Sequence, residues 1–176
     1  MDHQLSILYT ADQIETRVHE LARVISGTMP KDLTIVSLLR GSFVFTADLI
    51  RAMHSEGMRP QIDFMTLSSY GKGSASSGSI TIHRDINEDV KERRVLLLDD
   101  ILESGRTLHY ARELLVQRGA AEVRMVVFLE KPGKRAVNVQ ADFVGFKVPD
   151  KFVVGYGLDY ANFYRELPFI AAIDIH

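Results

Sequence analysis

The sequence predicts an α/β fold with a central, mostly parallel β-sheet flanked by helices. Residues 95–98 form a short, unbroken apolar run, as expected for a parallel strand with both faces covered. Residues 33–39 form a second apolar run, rich in β-branched side chains. A helical pattern follows each run, and alternation of strands with helices is typical of a parallel sheet. We expect the strand at 95–98 to be central.

The remaining elements follow from the spacing of apolar residues. Helical spacing predicts helices at 11–26, closed by Gly27 and Pro30, at 43–55 and at 107–119. Apolar or alternating runs predict further strands at 61–67, 79–83, 123–129, 141–146 and 151–160, with a last edge strand at 167–175. The 176 residues are enough for one full core and too few for two ordinary domains, so we predict a single domain over 1–176.

Composition excludes several classes of function. The formal net charge of −2 provides no overall positive field for a nucleic-acid backbone, so an anion site must be local. The chain has no cysteine, which rules out disulfides and thiolate metal sites. The first residues lack the basic and apolar regions of a signal peptide, and no segment is long enough to span a bilayer. We expect a cytoplasmic protein with neither membrane nor nucleic-acid partners.

Two acidic residues, Asp99 and Asp100, directly follow the apolar run at 95–98. In open parallel sheets, ligands bind in the crevice beyond the carboxyl ends of the strands. Adjacent carboxylates suit a vicinal diol or a divalent cation that takes oxygen ligands. The alternative for the pair alone is a strand end with a solvated acidic turn.

A candidate phosphate-binding turn comes next, in the sequence Glu-Ser-Gly-Arg-Thr at 103–107. Gly105 permits a tight turn, and the hydroxyls of Ser104 and Thr107 can face one anion together with successive N–H groups. The helix predicted at 107–119 would point its N-terminus at the same anion. A phosphate site beside a diol site describes a ribose 5-phosphate.

Several other segments have both a plain and a functional interpretation. The Arg40-Gly41 turn is either a simple connection or a second anion site. Residues 68–78 are small, polar and glycine-rich, and are either a disordered connection or a mobile lid over bound substrate. Lys131 is either solvated or a donor to a carbonyl oxygen in the crevice. Phe152 is either a core residue or a ring that stacks on a flat base.

The stretch 95–107 resembles the phosphoribosyl-diphosphate (PRPP) binding motif of the type I phosphoribosyltransferases. That motif consists of four apolar residues, two acids, two apolar residues, an acid, Ser or Thr, Gly, any residue and Thr. Every position is filled in kind here. The motif is much more specific than an isolated glycine fingerprint.

From about residue 38 to residue 167 the chain resembles the 6-oxopurine branch of this family. The resemblance implies a type I phosphoribosyltransferase fold, with a small hood over the active site formed by parts of the N-terminal and C-terminal segments. It implies purine salvage: transfer of the 5-phosphoribosyl group from PRPP to N9 of hypoxanthine, and also guanine, giving IMP or GMP and pyrophosphate. It further implies Mg2+ as cofactor and a homo-oligomer, either a dimer or a tetramer.

The resemblance also assigns roles to residues of this sequence. Glu103 is the implied acid or base for a purine proton at N7. The 5′-phosphate and ribose are assigned to Asp99, Asp100, Ser104, Gly105, Arg106, Thr107 and Leu108, and pyrophosphate to Leu39, Arg40, Gly41 and Arg165, with a cis peptide bond before Arg40. A flexible loop is implied to begin around Ser69 and Tyr70. The purine is assigned to Lys131, Phe152, Val153 and Asp159, and the metal to Asp99, Asp100 and Asp159.

The chain departs from the commonest pattern of the family at two acids. The usual order is Glu-Asp before the turn and Asp inside it, whereas this chain has Asp99-Asp100 and Glu103. Which acid contacts metal directly therefore stays open. Two alternative functions also remain: a nucleotide-sensing regulator that binds RNA or DNA, and a phosphoribosyltransferase acting on adenine, orotate or uracil. The net charge argues against the first, and Lys131 against the second.

Overall fold

The computed structural model describes residues 4–69 and 79–174, which form two β-sheets and three helices. In chain order the elements are β1 (Leu5–Tyr9), α1 (Ala11–Thr28), β2 (Thr34–Leu39), α2 (Phe43–Ser55), β3 (Gln61–Ser69), β4 (Ile80–Arg84), β5 (Arg94–Leu102), α3 (Arg106–Gln117), β6 (Glu122–Glu130), β7 (Phe143–Lys147), β8 (Phe152–Val154) and β9 (Ile170–Ile173). The large sheet has the order β4-β3-β2-β5-β6-β7, and the small sheet β1-β9-β8. All pairs in the large sheet are parallel except β3 with β4.

The predicted central strand, β5, is at the centre of the large sheet, between β2 and β6. Residues 95–98 are fully buried, and successive side chains enter different cores. Leu96 and Leu98 pack in the core that contains α1 and α2, whereas Val95 and Leu97 pack in the core that contains α3. Helices therefore cover both faces of β5, which is why its sequence is an unbroken apolar run.

The end of α1 differs from the prediction, because the helix continues through Gly27 to Thr28. Gly27 is exposed, and no atom of residues 4–69 or 79–174 lies within 4 Å of the position a Cβ would take. Met29 is extended, with φ −124° and ψ 155°, as expected for a residue that precedes proline. Pro30, and not Gly27, sets the end of the helix.

Gly27→Ala is therefore expected to stabilise the fold. Alanine has a higher helix propensity than glycine, and the new methyl group meets no atom. The expected gain in the free energy of unfolding is about 0.5–1 kcal/mol. Urea denaturation followed by circular dichroism measures it, and a lower midpoint in the variant would contradict the helical assignment of this residue.

The strands differ from prediction in three places. β5 continues to Leu102, paired with β6, so Asp99 and Asp100 lie within the strand rather than after it. Only 152–154 of the predicted strand 151–160 is extended in a sheet, because Gly155 has φ +100° and begins a turn. β9 is the central strand of the small sheet, not an edge strand.

The small sheet joins the two ends of the described chain. β9 pairs on one side with β1, a strand that the sequence pattern did not predict, and on the other with β8. Val153 and Ile170 from this sheet are buried in the same core as α1 and α2. Among the described residues, no helix is both long and apolar enough to cross a membrane.

Candidate active site

Two adjoining cavities lie at the carboxyl ends of β2, β5 and β6. The larger, about 640 Å³, reaches the small sheet, and the smaller, about 260 Å³, opens over the start of α3. Asp100, Ile101 and Glu103 line both cavities, so the end of β5 forms a ridge between them. A ligand that places one end in each cavity would therefore contact this ridge with its central part.

The smaller cavity has the features of an anion site. Gly105 has φ +80° and precedes α3, and within the described part of the chain no side chain caps the N-terminus of that helix. Ser104 Oγ accepts a hydrogen bond from the N–H of Arg106 at 3.4 Å, which closes the turn. The cavity is lined by Leu38, Leu39, Leu67, Asp99, Asp100, Ile101, Leu102, Glu103, Ser104, Gly105, Thr107 and Leu108. Amides at the helix start and the nearby hydroxyls can bind a phosphate here.

Ionisation of the paired acids, Asp99 and Asp100, is unfavourable in the ligand-free protein. Loss of solvent raises the pKa of Asp99 well above its ordinary value, and the negative charge of Asp100 adds to this. Loss of solvent also raises the pKa of Asp100, opposed by hydrogen bonds and by the charge of Arg165. Cations or hydroxyl donors that enter the site relieve this cost, so the pair is prepared for such ligands.

Asp99→Asn is expected to stabilise the ligand-free chain at alkaline pH. A carboxyl whose pKa is raised by folding is bound to more protons in the folded state above pH 3.8, so its contribution to stability falls as pH rises. Asparagine carries no charge, and at pH 8 the gain is on the order of 1 kcal/mol.

The measurement is urea denaturation with EDTA at several pH values between 4.5 and 8. The difference between variant and wild type should grow with pH. A difference that is constant or that shrinks with rising pH would mean that ionised Asp99 does not cost stability.

The turn after β2 brings Arg40 to the larger cavity, and the predicted cis peptide bond joins Leu39 to Arg40. Three buried hydroxyls anchor this turn. Ser37 Oγ lies 2.8 Å from Ser42 Oγ and 2.7 Å from Thr46 Oγ1, and Ser42 Oγ donates to the carbonyl of Leu38 at 2.5 Å. The network links β2, the turn and α2 and so fixes where the turn lies.

Gly41 is in close contact on two sides. A Cβ at Gly41 would lie 1.7 Å from Oδ2 of Asp100, and a Cβ at Gly157 would lie 2.4 Å from the carbonyl oxygen of Gly41. Gly157 has φ +98°, a conformation that side chains other than glycine's rarely adopt. A side chain at Gly157 would therefore be strained and would overlap backbone, whereas one at Gly41 would force the Asp100 carboxylate to move.

Arg165 and Asp159 close the far side of the larger cavity. Arg165 Nη1 donates to the carbonyl of Gly157 at 2.6 Å, and its Nη2 lies 2.8 Å from Asp159 Oδ1. Asp159 Oδ2 accepts from the N–H of Asn162 at 2.7 Å, and Asn162 Oδ1 accepts from Arg40 at 3.3 Å. This chain of contacts holds two arginines on one wall.

Glu103 is surrounded by basic groups. Its Oε1 lies 3.4 Å from Nζ of Lys131 and 3.9 Å from Nζ of Lys134. Lys134 also pairs with Asp150 at 2.8 Å, and that hydrogen bond raises the pKa of Lys134. Arg135 Nη1 donates to the main-chain carbonyl of Glu103 at 2.8 Å. The carboxylate is thus held between two ammonium groups.

An aromatic ring faces the same cavity. Phe152 is 42% exposed and makes an edge contact with Tyr160, with the ring centroids 5.5 Å apart. Val153 is buried and also lines the cavity. The exposed face of Phe152 can stack on a planar base, and Lys131, whose side chain is 7% exposed, can donate to its edge.

The structure brings together most of the predicted site residues. The larger cavity is lined by Arg40, Gly41, Asp100, Glu103, Lys131, Phe152, Val153, Asp159 and Arg165, and the smaller by Leu39, Asp99, Asp100, Glu103, Ser104, Gly105, Thr107 and Leu108. Arg106 and Ser69 are exposed and line neither cavity. Tyr70 and most of the predicted lid lie outside the described residues.

Sequence reasoning missed three charged residues of the larger cavity, Lys134, Asp150 and Lys151. Lys134 follows the Pro132-Gly133 turn, and Asp150 was interpreted only as part of a turn. The available signal for Lys134 was its position three residues after Lys131, across a tight turn.

Comparison with known proteins agrees with this geometry. Residues 4–161 match the phosphoribosyl transferase domain. The chain belongs to the phosphoribosyl transferase family, and the type I fold predicted from the sequence is confirmed.

Its relatives within the family are more specific. It is 41% identical over 176 residues to the hypoxanthine phosphoribosyltransferase of Escherichia coli K12, covering 98% of this chain and 97% of that one. The crystal structure of a hypoxanthine phosphoribosyltransferase from Staphylococcus aureus is similar with a TM-score of 0.89 and 38% identity, covering 96% of this chain and 91% of that one. A structure of the hypoxanthine phosphoribosyltransferase of Trypanosoma cruzi gives a TM-score of 0.91 at 35% identity, covering 99% and 93% of the two chains.

Proposed function

We propose that this chain catalyses transfer of the 5-phosphoribosyl group from PRPP to N9 of hypoxanthine, and also of guanine, in purine salvage. The observation that carries the proposal is the ridge at the end of β5. Asp100 and Glu103 separate an anion site from a cavity with a buried lysine and an exposed ring. PRPP and a 6-oxopurine have the same arrangement of parts: a phosphate, a diol and a flat base with a carbonyl oxygen.

The sugar phosphate is assigned to the smaller cavity. Its 5′-phosphate accepts hydrogen bonds from amides of residues 104–108 and from the hydroxyls of Ser104 and Thr107. Arg106 contributes its main-chain N–H, since the residue is exposed and lines neither cavity. The ribose hydroxyls donate to Asp99 and Asp100, whose raised pKa values favour such partners.

The pyrophosphate is assigned to the wall formed by residues 39–41 and Arg165. Arg40 carries a charge that can move toward the ligand, because its hydrogen bond to Asn162 is long, at 3.3 Å. These cations stabilise the charge that develops on the diphosphate as its bond to C1 breaks.

The purine is assigned to the larger cavity. Phe152 stacks on the ring, Lys131 donates to the 6-oxo group and the main chain at Val153 meets the edge of the base. Glu103 is the general acid or base for the proton at N7 as the N9–C1 bond forms. A lysine donor at the 6-position disfavours adenine, which has an amino group there.

Magnesium fits the oxygen donors of this site. Among residues 4–69 and 79–174, no three acidic or histidine side chains cluster as a complete metal site, so a cation would take further oxygens from its substrate. Asp99 and Asp100 at the end of β5, or Asp159 across the larger cavity, would each supply part of the ligand set, and Mg2+ bound there would neutralise the diphosphate charge.

Further proposals concern the surroundings of the site. We propose that the small sheet is the hood and that the protein is a cytoplasmic homo-oligomer. A groove of about 860 Å³ between α1, α2 and residues 165–168 supports association, since Phe43 beside it is 47% exposed. Light scattering after gel filtration measures the oligomeric state.

Nucleotide formation tests the activity. The protein is incubated with Mg2+, PRPP and one of hypoxanthine, guanine, xanthine, adenine, orotate or uracil, and the products are separated by chromatography. IMP and pyrophosphate in equal amounts are expected with hypoxanthine, and no product without PRPP. Product with adenine, orotate or uracil but not with hypoxanthine would reject the assignment of Lys131, and no product with any base would reject the proposed reaction.

A further inference from the structure

We infer that Lys134 is a positioning residue. It keeps the Glu103 side chain in place and balances its negative charge while Lys131 donates a hydrogen bond to the purine. The inference rests on the function proposed above. Lys134 contacts the Glu103 carboxylate on the ridge, a contact that the sequence did not predict.

One oxygen atom of Glu103 is shared by two lysines. Nζ of Lys131 is 3.4 Å and Nζ of Lys134 is 3.9 Å from Glu103 Oε1. The side chain of Lys131 is 7% exposed, whereas that of Lys134 is 49% exposed. The buried lysine is the donor available to the base, and the exposed one lies at the rim.

Binding of a 6-oxopurine gives the Lys131 ammonium group a second partner besides Glu103. This group is the nearer cation to Glu103, and it is also the group that donates to the 6-oxo oxygen. When the Lys131 ammonium group donates to the 6-oxo oxygen, its electrostatic interaction with Glu103 becomes weaker. Lys134 then remains as a second cation on the carboxylate, so the acid or base keeps its place.

Lys134 is itself held in position by Asp150 at 2.8 Å. Asp150 lies in the segment just before β8, the strand that begins with Phe152. The charged groups that face the Glu103 side chain are thus Lys131 and Lys134, with Asp150 one contact further away. Arg135 binds the main-chain carbonyl of Glu103 and fixes its backbone.

These ion pairs are half exposed, so they contribute little to the stability of the fold. A role in stability therefore does not account for them. Lys134 should affect turnover without changing the melting temperature, and its effect should depend on the presence of the Glu103 carboxylate.

A double-mutant cycle tests this dependence. Lys134→Gln, Lys134→Arg, Glu103→Gln and the double variant with glutamine at both positions are compared with wild type for IMP formation, with the KM for PRPP and the melting temperature measured for each. Lys91→Gln is the control, because Lys91 precedes β5 and therefore lies at the opposite end of the sheet from the site.

We expect Lys134→Gln to lower kcat about fivefold with the KM for PRPP within about twofold, and Lys134→Arg to retain at least about half of the activity. In the Glu103→Gln background, loss of Lys134 should change kcat by less than about twofold. Equal losses in both backgrounds, failure of arginine to rescue, or no loss in Lys134→Gln would each overturn the inference. A wild-type protein that makes no IMP would instead reject the proposed function.

Discussion

Glu103→Gln is expected to lower kcat about 100-fold while the KM for PRPP changes by less than about threefold. Glutamine keeps the length of the side chain and can still accept a hydrogen bond from Lys131, which lies 3.4 Å from Oε1. It cannot take up or release the N7 proton at neutral pH. Glu103→Ala should lose at least as much activity, because it also removes the partner of two lysines.

Steady-state kinetics with hypoxanthine and varied PRPP measure the separation of kcat from KM. The melting temperature of Glu103→Gln serves as the control and should be close to that of wild type. Unchanged turnover in these variants would remove Glu103 from the mechanism, and a loss confined to the KM for PRPP would reassign it to sugar binding.

Gly41→Ala is expected to abolish PRPP binding and lower activity by at least about 100-fold without unfolding the protein. The new Cβ would overlap Asp100 Oδ2, at 1.7 Å. The carboxylate must rotate away, which breaks its hydrogen bond from the N–H of Ile101 at 2.7 Å. The backbone of Gly41 is not in the left-handed region, so alanine adds a steric conflict without torsional strain.

Isothermal titration with PRPP and Mg2+ measures the loss of binding. Gly27→Ala is the matched control, since it adds the same methyl group where none of the residues that the structure describes has an atom within 4 Å. PRPP affinity in Gly41→Ala equal to that of the control would mean that Asp100 can move without consequence for binding, and would remove it from the sugar site.

The large sheet was predictable because its central strands, β2 and β5, are buried on both faces. Residues 95–98 and 33–39 lack the regular alternation of polar and apolar side chains that is typical of half-exposed strands. Each is followed by a helix, α3 or α2, and this order predicts a parallel sheet. The small sheet was not predictable in the same way. β8 has three residues and β9 has four, so neither is long enough to show a period, and β1 depends on pairing with a strand more than 160 positions away in the chain.

The site could be predicted where a local motif holds its residues together. The turn at 103–107 and the acids before it are contiguous, so their chemistry is readable from order alone. Lys134 and Asp150 come from separate loops and meet only through the packing of β6, β7 and the small sheet. Their contact depends on tertiary structure, and no spacing in the sequence encodes it.

The contact between Gly157 and Gly41 has a mechanical consequence. Peptide meets peptide there, with no intervening side chain that could rotate to absorb movement. A displacement of the segment carrying Gly157 is therefore transmitted directly to the Leu39–Arg40–Gly41 turn and from there to Asp100. With the assignments proposed above, such a displacement would shift the purine and pyrophosphate subsites together.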